Sequence, residues 1–280
     1  MKNKGENCML KNNYFEIEKD LDEGFLTFID YGKDEDFSYE ARDAVYQETK
    51  ETKIPIIGLQ ADGIVNRDCY GKNGVPRILV LMYESYRIND GNLDYIWNEA
   101  AWWRFEGERP KKMFGVVHKW IKTLFEKLNI PIEEKPDNLL NYCAWMNISK
   151  LGRKTSKMDW RILQKLVQSK NVLEDNSHDY PCCAEKLTEQ FLSYDPDIVI
   201  CGNTEWLLYS FLNNAGHKEL ISERDQTNKN LHYFTYKVNG KDISVFNAYH
   251  PAAWARKTRE EDFAEVLHNN YAKIERILRE

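Results

Sequence analysis

A chain of 280 residues with 42% apolar content is long enough to bury a full core, as one large domain or two small ones. No stretch approaches the ~20 consecutive apolar residues that span a bilayer, and the Lys- and Asn-rich start lacks the apolar run of a secretion signal, so a cytoplasmic protein with no membrane partner is expected. The formal charge of −6 argues against a polyanionic partner only on average, because residues 1–51 carry −7 and the remaining 229 sum to +1.

The acidic bias is concentrated between Glu16 and Glu51, where thirteen acids face four bases. Apolar islands at Phe25-Leu26 and Phe28-Ile29 interrupt it. Residues 1–53 are therefore read as an N-terminal extension, and 54–280 as the folded α/β domain. Six cysteines are scattered along the chain, and the only close pair is Cys182-Cys183. Adjacent cysteines suit neither a bridge nor a metal knuckle, so reduced thiols are expected, with no metal and no cofactor.

Beyond residue 53, short apolar runs bounded by turn residues predict buried strands at Ile54 to Leu59, Arg77 to Met82, Leu139 to Met146, Asp197 to Cys201 and Ile243 to Tyr249. Apolar residues at helical spacing lie between them. Val116, Val117, Trp120, Ile121, Leu124, Phe125 and Leu128 form one set, and Ile162, Leu163, Leu166 and Val167 another. Further helices are expected at Ala184 to Leu192, Glu205 to Leu212 and Glu261 to Leu278. Strands alternating with helices imply a mainly parallel sheet covered on both faces. Asn239-Gly240 joins Leu231–Val238 to the last strand as a hairpin.

In such a sheet, ligands bind beyond the carboxyl ends of the strands. Those positions hold Tyr83-Glu84-Ser85-Tyr86, Asn147-Ile148-Ser149-Lys150, Gly202-Asn203-Thr204 and His250-Pro251. A carboxylate can orient or deprotonate water, and a histidine can donate to charge developing on a leaving group. An Asn amide offers one donor and one acceptor edge, as a pyrimidine does. Together these groups suit hydrolysis of a glycosidic bond to a base. No Gly-rich turn follows the first strand, as a dinucleotide site would need, and Ser85 lacks the flanking glycines of a serine nucleophile elbow.

Two basic runs free of acids, Lys150, Arg153, Lys154 and Lys157, then Arg256, Lys257 and Arg259, are either solvated loops or a nucleic-acid face. The remaining histidines show no metal-ligand spacing.

An acid after the first central strand, Asn-x-x-Lys after the second, a strand ending in Cys-Gly-Asn before a helix, and a hairpin strand ending in His-Pro: in this order, over residues 54–275, the set resembles the uracil-DNA glycosylase superfamily. The resemblance implies a three-layer α/β/α sandwich with a central, mainly parallel four-stranded sheet. It also implies a monomeric DNA-binding enzyme that flips a base and hydrolyses its N-glycosidic bond without a cofactor, as in base-excision DNA repair. On that mapping Glu84 stands at the position of the water-activating acid and His250 at that of the leaving-base stabiliser. Asn147, with Tyr83 and Tyr86, falls in the base-binding region. Lys150, Arg153, Lys154, Trp254, Arg256 and Lys257 fall on the DNA side, with Trp254 as a wedge that fills the place of a flipped nucleotide.

The chain departs from that pattern. Tyr83 and Tyr86 stand where the family carries a small Gly before the acid and often a Pro after it, and the four-cysteine iron–sulfur pattern of some branches is missing. The Trp-rich segment from Asp94 to Phe105 has no counterpart and reads first as core. Two functions follow as expectations. One is a DNA glycosylase for uracil or a modified pyrimidine, including hypermodified cytosine in phage DNA, which would make it a phage-defence enzyme. The other is a catalytically silent nucleic-acid-binding module on the same fold.

Overall fold

The computed structural model describes residues 56–61, 63–66, 69–72, 74–84, 97–98, 111–130, 139–149, 151–153, 184–217, 223–225, 227–251, 253 and 257–279, with backbone alone at 56–61, 84, 97–98, 111–113, 149, 151–153, 185–186 and 223. Ten strands are found among them: β1 (Ile56–Ala61), β2 (Gly63–Ile64), β3 (Ile78–Glu84), β4 (Trp97–Asn98), β5 (Cys143–Ser149), β6 (Leu151–Arg153), β7 (Ile198–Gly202), β8 (Glu223–Asp225), β9 (Leu231–Val238) and β10 (Lys241–Ala248). The helices among them are α1 (Lys111–Lys127), α2 (Ala184–Tyr194), α3 (Glu205–Asn214) and α4 (Glu260–Arg279).

The main sheet has seven strands in the order β2-β5-β3-β7-β10-β9-β8. Its centre is parallel: β3 pairs parallel with β5 and β7, and β7 pairs parallel with β10. Antiparallel pairs add β2 at one edge and β9, then β8, at the other. The protein is thus α/β with a mixed sheet, in place of the expected sheet of four strands. At the β10 side, β9 comes from the expected hairpin, and β8 adds antiparallel to β9. Asn239 and Gly240 both adopt positive φ, 51° and 83°, the combination that lets a two-residue turn match the twist of the flanking strands.

The central strands read as continuous apolar runs because both of their faces are covered. In β3, Leu79, Leu81 and Tyr83 pack with Val199, Cys201 and Val245 against Leu187 and Phe191 of α2 and Leu208 and Phe211 of α3. The alternate residues Ile78, Val80 and Met82 pack with Trp145, Ile200 and Phe246 against Trp120 and Leu124 of α1 and Phe263 and Leu267 of α4. Helices α1 and α4 meet through a stacked Trp120–Phe263 pair, with ring centroids 5.3 Å apart. Both rings are fully buried, and truncating either to Ala is expected to cost about 3–5 kcal/mol.

The amino ends of the parallel strands are fastened by ions. Arg77 donates from Nη2 to Asp197 Oδ1 (2.9 Å) and from its backbone N–H to Asp197 Oδ2 (2.8 Å). Lys241 Nζ reaches the same Oδ1 at 2.7 Å. Partial burial raises the Asp197 carboxyl, but the hydrogen bonds from Arg77 and Lys241 outweigh it and hold the group below its usual range.

Two expectations are corrected in position. Of the run expected as a strand from Ile54 to Leu59, the described part belongs to β1 (Ile56–Ala61), but β1 lies outside the main sheet, pairing parallel with β4 and antiparallel with β6. Leu139–Tyr142 forms a 3-10 turn that leads into β5 instead of its first residues. The helix expected around Ile162 to Val167 and the extension 1–53 lie outside the described residues. Among the described residues, no helix is long and apolar enough to cross a membrane.

Candidate active site at the carboxyl ends of the parallel strands

The strand register assembles the site. Met82 of β3 pairs with Asn147 of β5, and two positions on, the backbone of Glu84 pairs with Ser149. On the other side, Leu81 pairs with Cys201 of β7, and Gly202 pairs with Ala248 of β10. Asn147, Met82, Gly202 and Ala248 therefore form one row across four adjacent strands, all of them buried. From β5 to β10 the row covers three strand spacings, roughly 14 Å.

Gly202 makes the close packing of this row possible. A Cβ at Gly202 would lie 2.4 Å from the Sδ of Met82 and 3.5 Å from Cδ of Pro251. The absence of a side chain thus lets Met82 lie flat over β7 and brings the His250-Pro251 corner down onto the sheet. The next residue, Asn203, turns the chain with φ 65°, a left-handed conformation that Asn tolerates better than most residues. Thr204, wholly buried, donates its hydroxyl to the Leu81 carbonyl (2.8 Å), which ties this turn back to β3 before α3 begins.

His250 lies two residues beyond the end of β10. Its imidazole stacks on the ring of Tyr83, with centroids 5.7 Å apart and planes 18° apart. The Ala253 N–H donates to the His250 carbonyl (2.8 Å), closing a turn over Pro251. Burial disfavours the charged ring and pushes its pKa down from 6.5 to about 4. At neutral pH His250 is therefore an uncharged imidazole that carries one N–H donor.

Asn147 is 1% exposed and lies within β5, two residues before its end, because the strand runs on to Ser149 past the expected end at Met146. Tyr83 is also buried, and its hydroxyl donates to the Asn203 carbonyl (2.7 Å). Its ring thus props the His250 imidazole while its polar end braces the β7–α3 turn. Burial raises its phenol pKa, against the hydrogen bond to Asn203. Sequence reasoning took Tyr83 for a base-binding residue; the geometry adds a supporting role that no pattern in the sequence signals.

A second polar pair was also missed. At the first turn of α3, Glu205 accepts a hydrogen bond from the Tyr236 hydroxyl of β9. Burial raises the Glu205 carboxyl above its usual range despite that bond and the nearby Arg224 charge. An acid in a first helical turn is common, so only the structure marks this one.

Comparison with family models, curated proteins and solved structures finds no match to this chain. The reading of the site therefore rests on its own geometry.

That geometry brings Tyr83, Asn147 and His250 to one edge, with the Glu84 backbone between the last two. Lys257 is exposed beyond the His-Pro corner. Tyr86, Lys150, Lys154, Trp254 and Arg256 lie outside the described residues, and Arg153 is described by its backbone alone, in β6. Among the described residues, no group of three or more His, Cys, Asp or Glu side chains is arranged to hold a metal ion. Cys143 and Cys201 are free and buried, and burial pushes both thiols well above their usual range, so neither is a ready nucleophile.

Proposed function

We propose that the protein is a DNA glycosylase that hydrolyses the N-glycosidic bond of a flipped pyrimidine-type base, uracil or a modified one, on a three-layer α/β/α fold. The observation that carries this reading is the neutral, enclosed His250, stacked on Tyr83, with two strands, β3 and β7, between β10 and the β5 strand that holds the buried amide of Asn147. A base entering at the carboxyl rim, above the buried row of Met82, Gly202 and Ala248, would have the amide on one side and the imidazole on the other.

In the reaction, the bond between C1′ and the base nitrogen breaks and its electron pair leaves with the base. Water adds to C1′, giving an abasic sugar, and its proton passes to a carboxylate or to solvent. A neutral imidazole donates to an oxygen of the departing base, an interaction that strengthens as negative charge builds there. Glu84, at the end of the strand between the two, is assigned to orient the water. DNA would approach the carboxyl edge, with Arg153, Lys257 and the cations around them contacting phosphates. Excision of a hypermodified cytosine from phage DNA is the same chemistry with a larger base.

The test is incubation with duplexes carrying uracil, hydroxymethylcytosine, glucosylated cytosine or alkylated bases, with abasic sites scored by alkaline cleavage. Base release from at least one duplex, lost in His250→Ala, supports the reading. Tight DNA binding with no abasic sites in any duplex would instead make the chain a silent binding module.

A further inference from the structure

The two ends of the His250 segment meet at one side chain. The Tyr249 N–H, the last backbone donor before His250, donates to Oγ1 of Thr258 (2.8 Å), nine positions along the chain. The same hydroxyl donates onward to the Asn230 carbonyl, just ahead of β9. The Thr258 carbonyl in turn accepts from Trp120 Nε1 of α1 (3.1 Å). Thr258 is 3% exposed, although an exposed Lys257 and Arg259 flank it.

Each anchor is itself held. Asn228 Oδ1 accepts from the backbone N–H groups of Asn230 (2.7 Å) and Leu231 (3.0 Å). Asp262 accepts from the side-chain amides of Asn228 and Asn230, both at 3.1 Å. It also accepts from the Arg259 N–H (2.6 Å), which caps the start of α4. A hydroxyl that accepts from one end of the segment and donates to a fixed carbonyl leaves that end little freedom to move.

We propose that Thr258 is a positioning residue for base release: by joining Tyr249 to the Asn230 turn it fixes where His250 leaves β10, and so where its imidazole meets the base. The proposal rests on the glycosylase reading. It places in the mechanism a residue that is itself buried.

Two variants separate the hydroxyl from the packing. Thr258→Val keeps the shape and removes both hydrogen bonds, whereas Thr258→Ser keeps the hydroxyl and loses a methyl group. The first readout does not depend on activity: the imidazole NMR signals of His250 and the hydrogen exchange of the Tyr249 amide. Thr258→Val is expected to shift or broaden the His250 signals and to expose the Tyr249 amide to exchange, while Thr258→Ser stays near the parent on both. The second readout is single-turnover base release, expected to fall roughly 10- to 100-fold in Thr258→Val, the scale of a small misplacement of a reacting group, with DNA affinity little changed. Unaltered His250 signals in Thr258→Val, or equal impairment in both variants, would overturn the proposal. A parent protein that releases no base from any duplex sinks the glycosylase reading instead, and the NMR comparison alone then decides whether Thr258 holds His250.

Discussion

The imidazole of His250 lies almost parallel to the phenol ring of Tyr83, 18° from coplanar with centroids 5.7 Å apart. The pair joins the end of β10 to the end of β3, with β7 between them. A ring held this way titrates differently from a histidine on a surface.

With its pKa near 4 in the folded protein, against about 6.5 unfolded, His250 binds a proton more readily when the chain is open. Its contribution to stability is present in full above pH 6.5 and is lost as pH falls from 6.5 through 4. The melting temperature of the parent is therefore expected to decline across that window more steeply than that of His250→Gln. Imidazole NMR should give a midpoint near 4, moving toward 6.5 in Tyr83→Ala as the ring gains solvent. A His250 midpoint at 6.5 in the parent would contradict the enclosure.

His250→Ala is expected to slow single-turnover base release by an amount equivalent to ~2–4 kcal/mol in the barrier, the scale of one donor to a developing anion. DNA affinity should change little, because the hydrogen bond gains its strength only as charge develops. Equal losses in affinity and rate would make His250 a binding residue only.

Asn147→Asp replaces a buried amide donor with an acceptor or a charge. The consequence should appear in substrate choice, as a changed ratio of release rates between the best duplex and a poor one. An unchanged ratio would confine Asn147 to packing within β5.

Gly202→Ala drives a methyl group into the thioether of Met82. Overpacking of this kind costs about 1–3 kcal/mol, and substituting a smaller residue at Met82 should recover part of it. Chemical denaturation of the two single variants and the double variant measures the coupling. Additive losses would show that the contact relaxes freely.

Asp197→Ala removes the acceptor shared by Arg77 and Lys241. A loss of about 2–3 kcal/mol is expected for hydrogen bonds to a partly buried charge. The Asp197 carboxyl is depressed in the folded state, so the parent should lose this stabilisation as pH falls below about 4, the unfolded value for Asp. In Asp197→Ala that acid-induced loss should be smaller. Base release per folded molecule should match the parent.

How much was legible depended on what each residue's neighbours were. Ile78 to Met82 and Ile198 to Cys201 announce themselves because a strand covered on both faces has no polar side to show. Asn239-Gly240 marks its hairpin because few other residues accept that backbone. The apolar run before Gln60 marks a strand equally well, but which sheet it joins depends on partners distant in sequence, and β1 joins β4 and β6. Strands of two or three residues, such as β2 and β8, have too few side chains to show a period. At the site, His250 and Asn147 were legible as reactive types at strand ends. Tyr83 as a prop and Thr258 as an anchor were not, because a buried hydroxyl reads in sequence like an exposed one.

The sheet carries its charged fastening at Arg77, Asp197 and Lys241 and the His250–Tyr83 pair and Asn147 toward the opposite rim, with roughly 23 Å of strand between Arg77 and Glu84. Over that distance, changes at the two rims should combine additively. Substitutions at one rim can then be made without loosening the other. Headroom gained at the ionic rim is available to be spent on riskier substitutions around Asn147 and His250.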